Sequence, residues 1–344
     1  MSESKPKILC AMSGGVDSSV AAALLLEQGY DVVGAFMKNW SGCDWEADKR
    51  DAMRVAASLG IELHVYDFEK EYRERVYEYM IAEYDAGRTP NPDVMCNSEV
   101  KFDLLMKVAD DLGCEKLATG HYARVEIVDG QARLLKGVDG NKDQSYFLCR
   151  LGQDELMWSM FPVGELEKPE VRKIAEKYDL VTADKKDSQG LCFIGPVDLP
   201  TFLKERIKPV KGNIVSTEGE VVGEHEGVQY YTIGQRHGLG VGGGPPWYVV
   251  DRKLDSNELV VGHDDDPALF SNKLEATDLH WVSGAEPELP AKFAAHIRYR
   301  QDDQACKLSD GGYVRFEKKQ RAIAPGQFIV FYSGDELVGS GVIK

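Results

Sequence analysis

The heptad Ser13-Gly14-Gly15-Val16-Asp17-Ser18-Ser19 lies between an apolar run, Ile8–Met12, and a helical pattern. Its residue types suit a phosphorylated ligand. Paired glycines let backbone amides approach phosphate oxygens. A helix beginning at Ser18 or Ser19 would aim its N-terminus at an anion, with the serines as caps and hydroxyl donors. Asp17 repels phosphates unless a divalent cation lies between them, and hard carboxylate oxygens suit Mg²⁺. The spacing is neither that of a Walker loop nor that of a dinucleotide-binding turn. A capped strand-to-helix turn with no ligand is the bland alternative, disfavoured by the whole heptad in this position.

Seven cysteines are scattered over 344 residues. An odd, dispersed set is no secreted disulfide framework and fits a reducing cytoplasm. Two of them stand in polar surroundings. In Asn91-Pro92-Asp93-Val94-Met95-Cys96-Asn97, the proline is expected to break the chain before a second helix starting near Ser98. Cys96 would then lie near a helix N-terminus, where a thiol loses its proton more readily. Asp93, three residues earlier, is near enough to handle protons. In Asp187-Ser188-Gln189-Gly190-Leu191-Cys192-Phe193-Ile194-Gly195, Cys192 sits in a glycine-flanked loop that suits a movable thiol. Cys10, Cys114 and Cys149 have apolar neighbours and read as small buried hydrophobes. Cys43 and Cys306 read as structural.

The elements that must position these groups alternate in type. Ile8–Met12, Asp31–Met37 and Glu62–Asp67 read as strands, and Ser18–Gln28 and Ala47–Leu59 as helices. Gly29, Gly60, Gly87 and Gly113 each follow a helical stretch, as a left-handed C′ residue does. Such alternation implies an α/β domain: an open parallel sheet with helices on both faces and a ligand at the carboxyl ends of its strands. From about Val210 short β-type runs and turn signals take over, including Tyr313–Glu317 and Gln327–Tyr332. The expected domains are 1–208, a catalytic α/β unit; 209–269, a central β-rich unit; and 270–344, a C-terminal β-barrel.

The net charge of −16, from 41 basic and 57 acidic residues, argues against a general polyanion coat. The segment 270–344 holds 10 of each sign, so it is the expected grip on any nucleic acid. The polar Met1–Lys7 has no signal-peptide core, and the longest apolar run, Val20–Leu26, is far below the ~20 residues of a membrane helix.

The heptad resembles the PP-loop of the N-type ATP pyrophosphatases. Together with Asn91-Pro92-Asp93-x-x-Cys96-Asn97 and Gly190-Leu191-Cys192-Phe193-Ile194-Gly195, it closely resembles the tRNA-specific 2-thiouridylases, which sulfurate C2 of the wobble uridine at position 34. Gly120-His121-Tyr122-Ala123, Lys142-Asp143-Gln144-Ser145-Tyr146, Tyr231–Arg236 and Ile297–Arg300 match as well. The resemblance implies ATP with Mg²⁺, and ATP contacts at Ala11, Met12, Ser13, Gly14, Gly15, Val16, Asp17, Ser18, Met37 and Gly120. It implies adenylation of uracil O2, Cys192 as persulfide carrier, Cys96 as nucleophile and Asp93 as general acid/base, with the two cysteines ending as a disulfide. Asn91, Pro92 and Asp93 would meet the uracil. His121, Lys142, Asp143, Gln144, Arg298, Tyr299, Arg300 and Gln327 would contact the anticodon stem-loop.

A sulfur-donor protein, either a cysteine desulfurase or a relay protein, is an implied partner. Arg298, Tyr299 and Arg300 also combine charge with an aromatic face, as single-stranded RNA loops require. His121 reads equally as a structural histidine. Lys318, Lys319 and Arg321 read equally as phosphate contacts or as a solvated hairpin. No iron–sulfur cluster is expected, because such clusters usually take three or four thiolates. Two rival readings are an amide-forming ligase of the GMP or NAD synthetase type and a tRNA-binding module without chemistry. The first has no use for two reactive cysteines and needs an ammonia source, for which no upstream segment is expected. Intact Asp17, Asp93, Cys96 and Cys192 oppose the second.

Overall fold

The computed structural model describes residues 5–187, 199–242 and 244–344. Cys192 and its loop therefore lie outside the described residues. Strands β1 (Lys7–Ala11), β2 (Asp31–Lys38) and β3 (Glu62–Asp67) alternate with helices α1 (Val16–Glu27) and α2 (Trp45–Leu59). Helices α3 (69–85) and α4 (92–111) follow, then β4 (Lys116–Ala118), the antiparallel hairpin β5 (Ala123–Val128) and β6 (Gln131–Lys136), α5 (Gln153–Trp158), β7 (Ser159–Met160) and α6 (Lys168–Lys177).

The strands β3-β2-β1-β4-β7 form a parallel sheet in that order. Successive side chains point to opposite faces, and both faces are covered. Leu9, Val33, Ala35 and Met37 join one core with α4 residues Val94, Val100 and Leu105. Ile8, Cys10, Val32 and Phe36 join another with α1 and α2. In α1, Ala21, Ala22 and Ala23 are fully buried, and their small side chains let the helix lie close to the sheet. Gly29 and Gly60 leave α1 and α2 at φ of +90° and +69°. The expected α/β architecture is therefore present.

Strands β8 (Gly212–Ser216), β9 (Val221–His225), β10 (Tyr248–Lys253) and β11 (Glu258–Gly262) make a separate four-stranded sheet over Ile214, Val249, Leu259 and Val261. Strands β12 (Phe270–Trp281), β13 (Ala291–His296), β14 (Gln304–Ser309), β15 (Tyr313–Arg321), β16 (Phe328–Ser333) and β17 (Glu336–Ile343) run in the order β12-β15-β14-β13-β16-β17. Pairing of β12 with β17 closes the antiparallel barrel. The β5–β6 hairpin then adds to β17, with Leu134 opposite Leu337 and Leu135 opposite Glu336. No helix among the described residues is long and apolar enough to cross a membrane.

Two local expectations are corrected. Helix α1 starts at Val16 with Gly15 as N-cap, so Ser18 and Ser19 lie inside its first turn. Their hydroxyls donate back to the Gly15 carbonyl at 3.1 and 2.8 Å rather than capping the helix. Helix α4 starts at Pro92 rather than near Ser98, with Asn91 as N-cap accepting from the Val94 amide at 3.3 Å. Proline at N1 opens a helix because its missing N–H would have no partner there anyway. Cys96 consequently sits a full turn inside α4, where π winding begins and runs to Phe102.

Candidate functional site at the carboxyl edge of the sheet

The chain proceeds from β1 to β2 and β3 on one side, then crosses to β4 on the other. The crevice between the carboxyl ends of β1 and β4 is thus the switch point where open α/β sheets hold ligands. The loop leaving β1 is the heptad, and the loop leaving β4 is Thr119-Gly120-His121-Tyr122. They touch. A Cβ on Gly120 would lie 2.5 Å from the Ser18 nitrogen and 2.7 Å from the Asp17 carbonyl carbon. Gly14 has φ +76° and would collide with the Asp48 carbonyl oxygen, so glycine is required there too. Ser18 Oγ accepts from the Ser13 amide at 3.1 Å and pins the loop across its mouth.

Cations surround this loop. One oxygen of Asp17, Oδ1, accepts from Lys168 Nζ at 2.6 Å and from the Tyr122 hydroxyl at 2.7 Å. Burial, then the Asp17 charge, raises the Tyr122 hydroxyl far above its ordinary pKa, so it remains a donor. Lys185 reaches the Gly14 carbonyl at 2.9 Å and the carboxylates of Asp48 and Asp51 at 2.8 and 2.7 Å. Lys168 also meets Asp187 at 2.8 Å, and Lys142 and Arg172 meet the same carboxylate. Burial opposes ionisation of Asp187, but the hydrogen bonds from Lys142 and Lys168 prevail and hold its pKa at about 2. Asp187 is the last described residue before the segment that carries Cys192.

The motif Lys142-Asp143-Gln144, expected at RNA, is woven into this scaffold. Gln144 Oε1 accepts from the Tyr122 amide at 3.0 Å, and Asp143 accepts from the amides of Gly137 and Ser145. Burial raises the Asp143 pKa.

On the Met37 face of the sheet, α4 presents Asn91, Pro92, Asp93 and Cys96. Pro92 is buried, Asp93 is half-buried, and Cys96 is fully buried in the core that also holds Met37. The barrel grips the start of this helix. Gln327 Nε2 donates to the carbonyls of Thr89 and Pro90, each at 3.0 Å, and its Oε1 accepts from Asn91 Nδ2 at 3.4 Å.

His121 links α4 to the heptad's neighbour. Its Nδ1 lies 2.7 Å from Thr119 Oγ1 and its Nε2 3.4 Å from Lys101 Nζ, which also donates to Asn97 at 2.7 Å. Lys101 is a donor, so Nε2 accepts and the proton sits on Nδ1. Burial, then the Lys101 charge, lowers the His121 pKa well below the usual value and keeps the ring neutral.

Arg298, Tyr299 and Arg300 occupy the turn after β13. Tyr299 packs on Phe147 with centroids 4.5 Å apart, Arg300 lies over the Tyr299 ring at 5.1 Å, and Arg298 donates to the Arg321 carbonyl at 3.0 Å. Among the described cysteines no disulfide forms. The sheet edge therefore brings together Ala11–Ser18, Met37, Gly120, His121 and the Asn91–Cys96 segment, with Gln327 reaching in from the barrel. Residues 298–300 stand on the barrel beside Phe147. Lys168 and Lys185 were not anticipated, because the carboxylates that bring them to the phosphate loop, Asp17, Asp48 and Asp51, lie more than 130 residues away in sequence and leave no local signature.

Comparison with known proteins gives three family matches: a tRNA methyl transferase HUP domain over residues 6–196, a tRNA methyl transferase PRC-barrel domain over 200–263, and an aminomethyltransferase beta-barrel domain over 271–343. The chain is 51% identical over 356 residues to the tRNA-specific 2-thiouridylase MnmA of Pseudomonas fluorescens Pf0-1, covering 99% of this chain and 95% of that protein. It is 50% identical to the protein of the same name from Pseudomonas aeruginosa PAO1, covering 100% and 97%. Among solved structures, the U34-tRNA thiolase NcsA of Methanococcus maripaludis is 18% identical at a TM-score of 0.38, over 59% of this chain and 65% of that one.

Proposed function

The chain belongs to the tRNA-specific 2-thiouridylase family, and from that premise we propose that it replaces the C2 oxygen of uridine 34 in tRNA by sulfur, consuming ATP. A uracil carbonyl resists sulfur because its oxygen leaves poorly. Transfer of the adenylyl group of ATP to O2 releases pyrophosphate and makes that oxygen part of AMP, a good leaving group. The amides of Gly14 and Gly15 and the N-terminus of α1 would face the phosphates. Asp17, whose Oδ1 accepts from Lys168 and Tyr122, would hold the Mg²⁺ that arrives with ATP.

The uracil would lie against Asn91, Pro92 and Asp93, with Asp93 moving protons. Cys192 would carry sulfur as a persulfide supplied by a cysteine desulfurase or relay protein. Cys96 either attacks that persulfide and frees hydrosulfide within the site, or resolves the adduct after the persulfide has attacked C2. Both routes expel AMP and leave Cys96 and Cys192 oxidised to a disulfide, which a cellular thiol must reduce before the next turnover. His121, Lys142–Gln144, Arg298–Arg300 and Gln327 would hold the anticodon stem-loop, and the proposed domain limits are 1–208, 209–269 and 270–344.

The observation that supports this reading best is the pair Gly120-His121. One residue backs the phosphate loop, while the next reaches α4 through Lys101 one turn beyond Cys96. On this reading nucleotide activation and thiol chemistry would share one sheet edge. An amide-forming ligase would leave the Asp93–Cys96 helix without a task.

The test is mass analysis of nucleosides from unmodified tRNA incubated with the protein, MgATP and a sulfide or persulfide source. The expected product is 2-thiouridine at position 34, with one AMP and one pyrophosphate for each sulfur inserted. Cys192→Ser should abolish persulfide-driven turnover while sparing ATP binding. Full turnover in that variant, or ADP as the nucleotide product, would reject the scheme.

A further inference from the structure

The barrel carries a row of cations that the proposed reaction does not use. In the β-ladder Lys273 stands opposite Arg315, Arg315 opposite Lys307, and Lys307 opposite Lys292. Directly paired residues share a face, so the four form one line across β12, β15, β14 and β13. All four are exposed, whereas the neighbouring line Phe293–Cys306–Phe316 points into the barrel. With strands about 4.8 Å apart, the line is roughly 14 Å long. None of the four forms an ion pair with a carboxylate among the described residues. Glu275 beside Lys273 is engaged by Lys344 at 2.8 Å, and Glu317 shares a groove of ≈ 400 Å³ with Lys292, Lys307 and Arg315.

Like charges directly opposite one another on a sheet are destabilising. Four in succession, on a chain of net charge −16, have a clear electrostatic use only when an anion of matching extent lies over them. We propose that this line binds the phosphate backbone of the tRNA away from the anticodon loop. The proposal rests on the reading of tRNA as substrate. Two observations favour RNA over an acidic protein. Tyr313, two residues from Arg315 on the same exposed side and 61% exposed, offers a ring for stacking. Strand β15 also runs from the line to Arg321, whose carbonyl accepts from Arg298. A bulge lies between them, since the five steps from Arg315 to Gln320 face only two from Lys273 to Ser271, so the line and the Arg298–Arg300 turn are joined by one bent strand.

The test is equilibrium binding of unmodified tRNA to the full chain and to the triple variant Lys292→Gln/Lys307→Gln/Arg315→Gln, across about 50–200 mM salt. Each phosphate contact contributes about 0.7–0.9 to the slope of log K against log[salt]. The variant slope should therefore be shallower by roughly 2–3, with affinity lower at least tenfold at low salt. MgATP binding should be unchanged and the melting temperature should not fall, because repulsion has been removed. Lys307→Arg alone should bind as the parent does. Parallel slopes would overturn the proposal. So would an unchanged slope accompanied by loss of persulfide-donor-driven but not sulfide-driven turnover, which would assign the line to a protein. A parent chain that binds no tRNA at all would instead defeat the substrate reading.

Discussion

The Lys168 ammonium lies 2.6 Å from Asp17, although 151 residues separate them in sequence. Lys168 is only 8% exposed, so the pair is poorly screened. The same nitrogen meets Asp187, tying the phosphate loop to the stem of the segment that bears Cys192. Lys168→Met should lower tRNA-dependent AMP formation by roughly 10²-fold, the usual cost of a lost charge-stabilising donor. Binding of tRNA should change less than about twofold. Full AMP formation in the variant would show that Asp17 needs no cation from the protein.

At Gly120 the limit is space. A methyl group there meets backbone at Ser18 and Asp17, neither of which can turn aside as a flexible side chain would. Gly120→Ala should cost about 1–3 kcal/mol of stability as overpacking strain. It should also weaken ATP binding more than tRNA binding. Calorimetric titration with ATP and a thermal melt separate the two effects.

Gln327 holds the start of α4 by two donated bonds and one accepted bond. Gln327→Leu leaves the Thr89 and Pro90 carbonyls without that donor, a loss of about 1–3 kcal/mol. Because Asn91 is released as well, thiolation should fall while ATP affinity holds. The check is single-turnover 2-thiouridine formation against ATP affinity in the same preparation.

Two groups set pH expectations of the same sign in different windows, from one rule, that the state binding more protons gains on acidification. Asp187 is held at about 2, below the ~3.9 of an unfolded aspartate. Its contribution is complete above pH ~4 and is lost as pH falls toward 2. Lys142→Met should lower the melting temperature at pH 7 and flatten that acid decline. His121 is depressed below the ~6.5 of a free imidazole, so its contribution is complete above pH ~6.5 and falls on acidification as the unfolded chain takes up the proton. Its ring resonances should stay flat as the pH is lowered through the range in which a free imidazole titrates. A midpoint near 6.5 would contradict a buried neutral ring.

Much of this arrangement is legible in the residues themselves. Strand β3 spans Glu62–Asp67 as its apolar alternation requires, and the glycine-punctuated helices of the first third require a parallel sheet. The starts of α1 and α4 were misjudged because serine and proline each have two meanings near a helix end. Ser18 and Ser19 bond backward to Gly15 rather than forward as caps, and Asn91-Pro92 opens the helix itself rather than breaking the chain ahead of one that starts near Ser98. The cation cluster at Asp17 and the basic line on the barrel were hidden for a different reason. Both depend on long-range register, and neither Lys168 nor Lys307 differs locally from any solvated lysine. Asp129-Gly130, both at positive φ, is a hairpin turn signal that was available. Nothing nearby in sequence says that this hairpin will meet β17.

That meeting has a consequence for how the molecule is made. Strand β17 seals the barrel against β12 and, through Leu337, offers its edge to Leu134 of β6. Until β17 emerges from the ribosome, the hairpin must wait with one ladder open, an exposed edge of the kind that invites wrong partners. Deleting 336–343 should therefore open the barrel and also strip the β5–β6 hairpin of its partner strand, since a single ribbon completes both ladders.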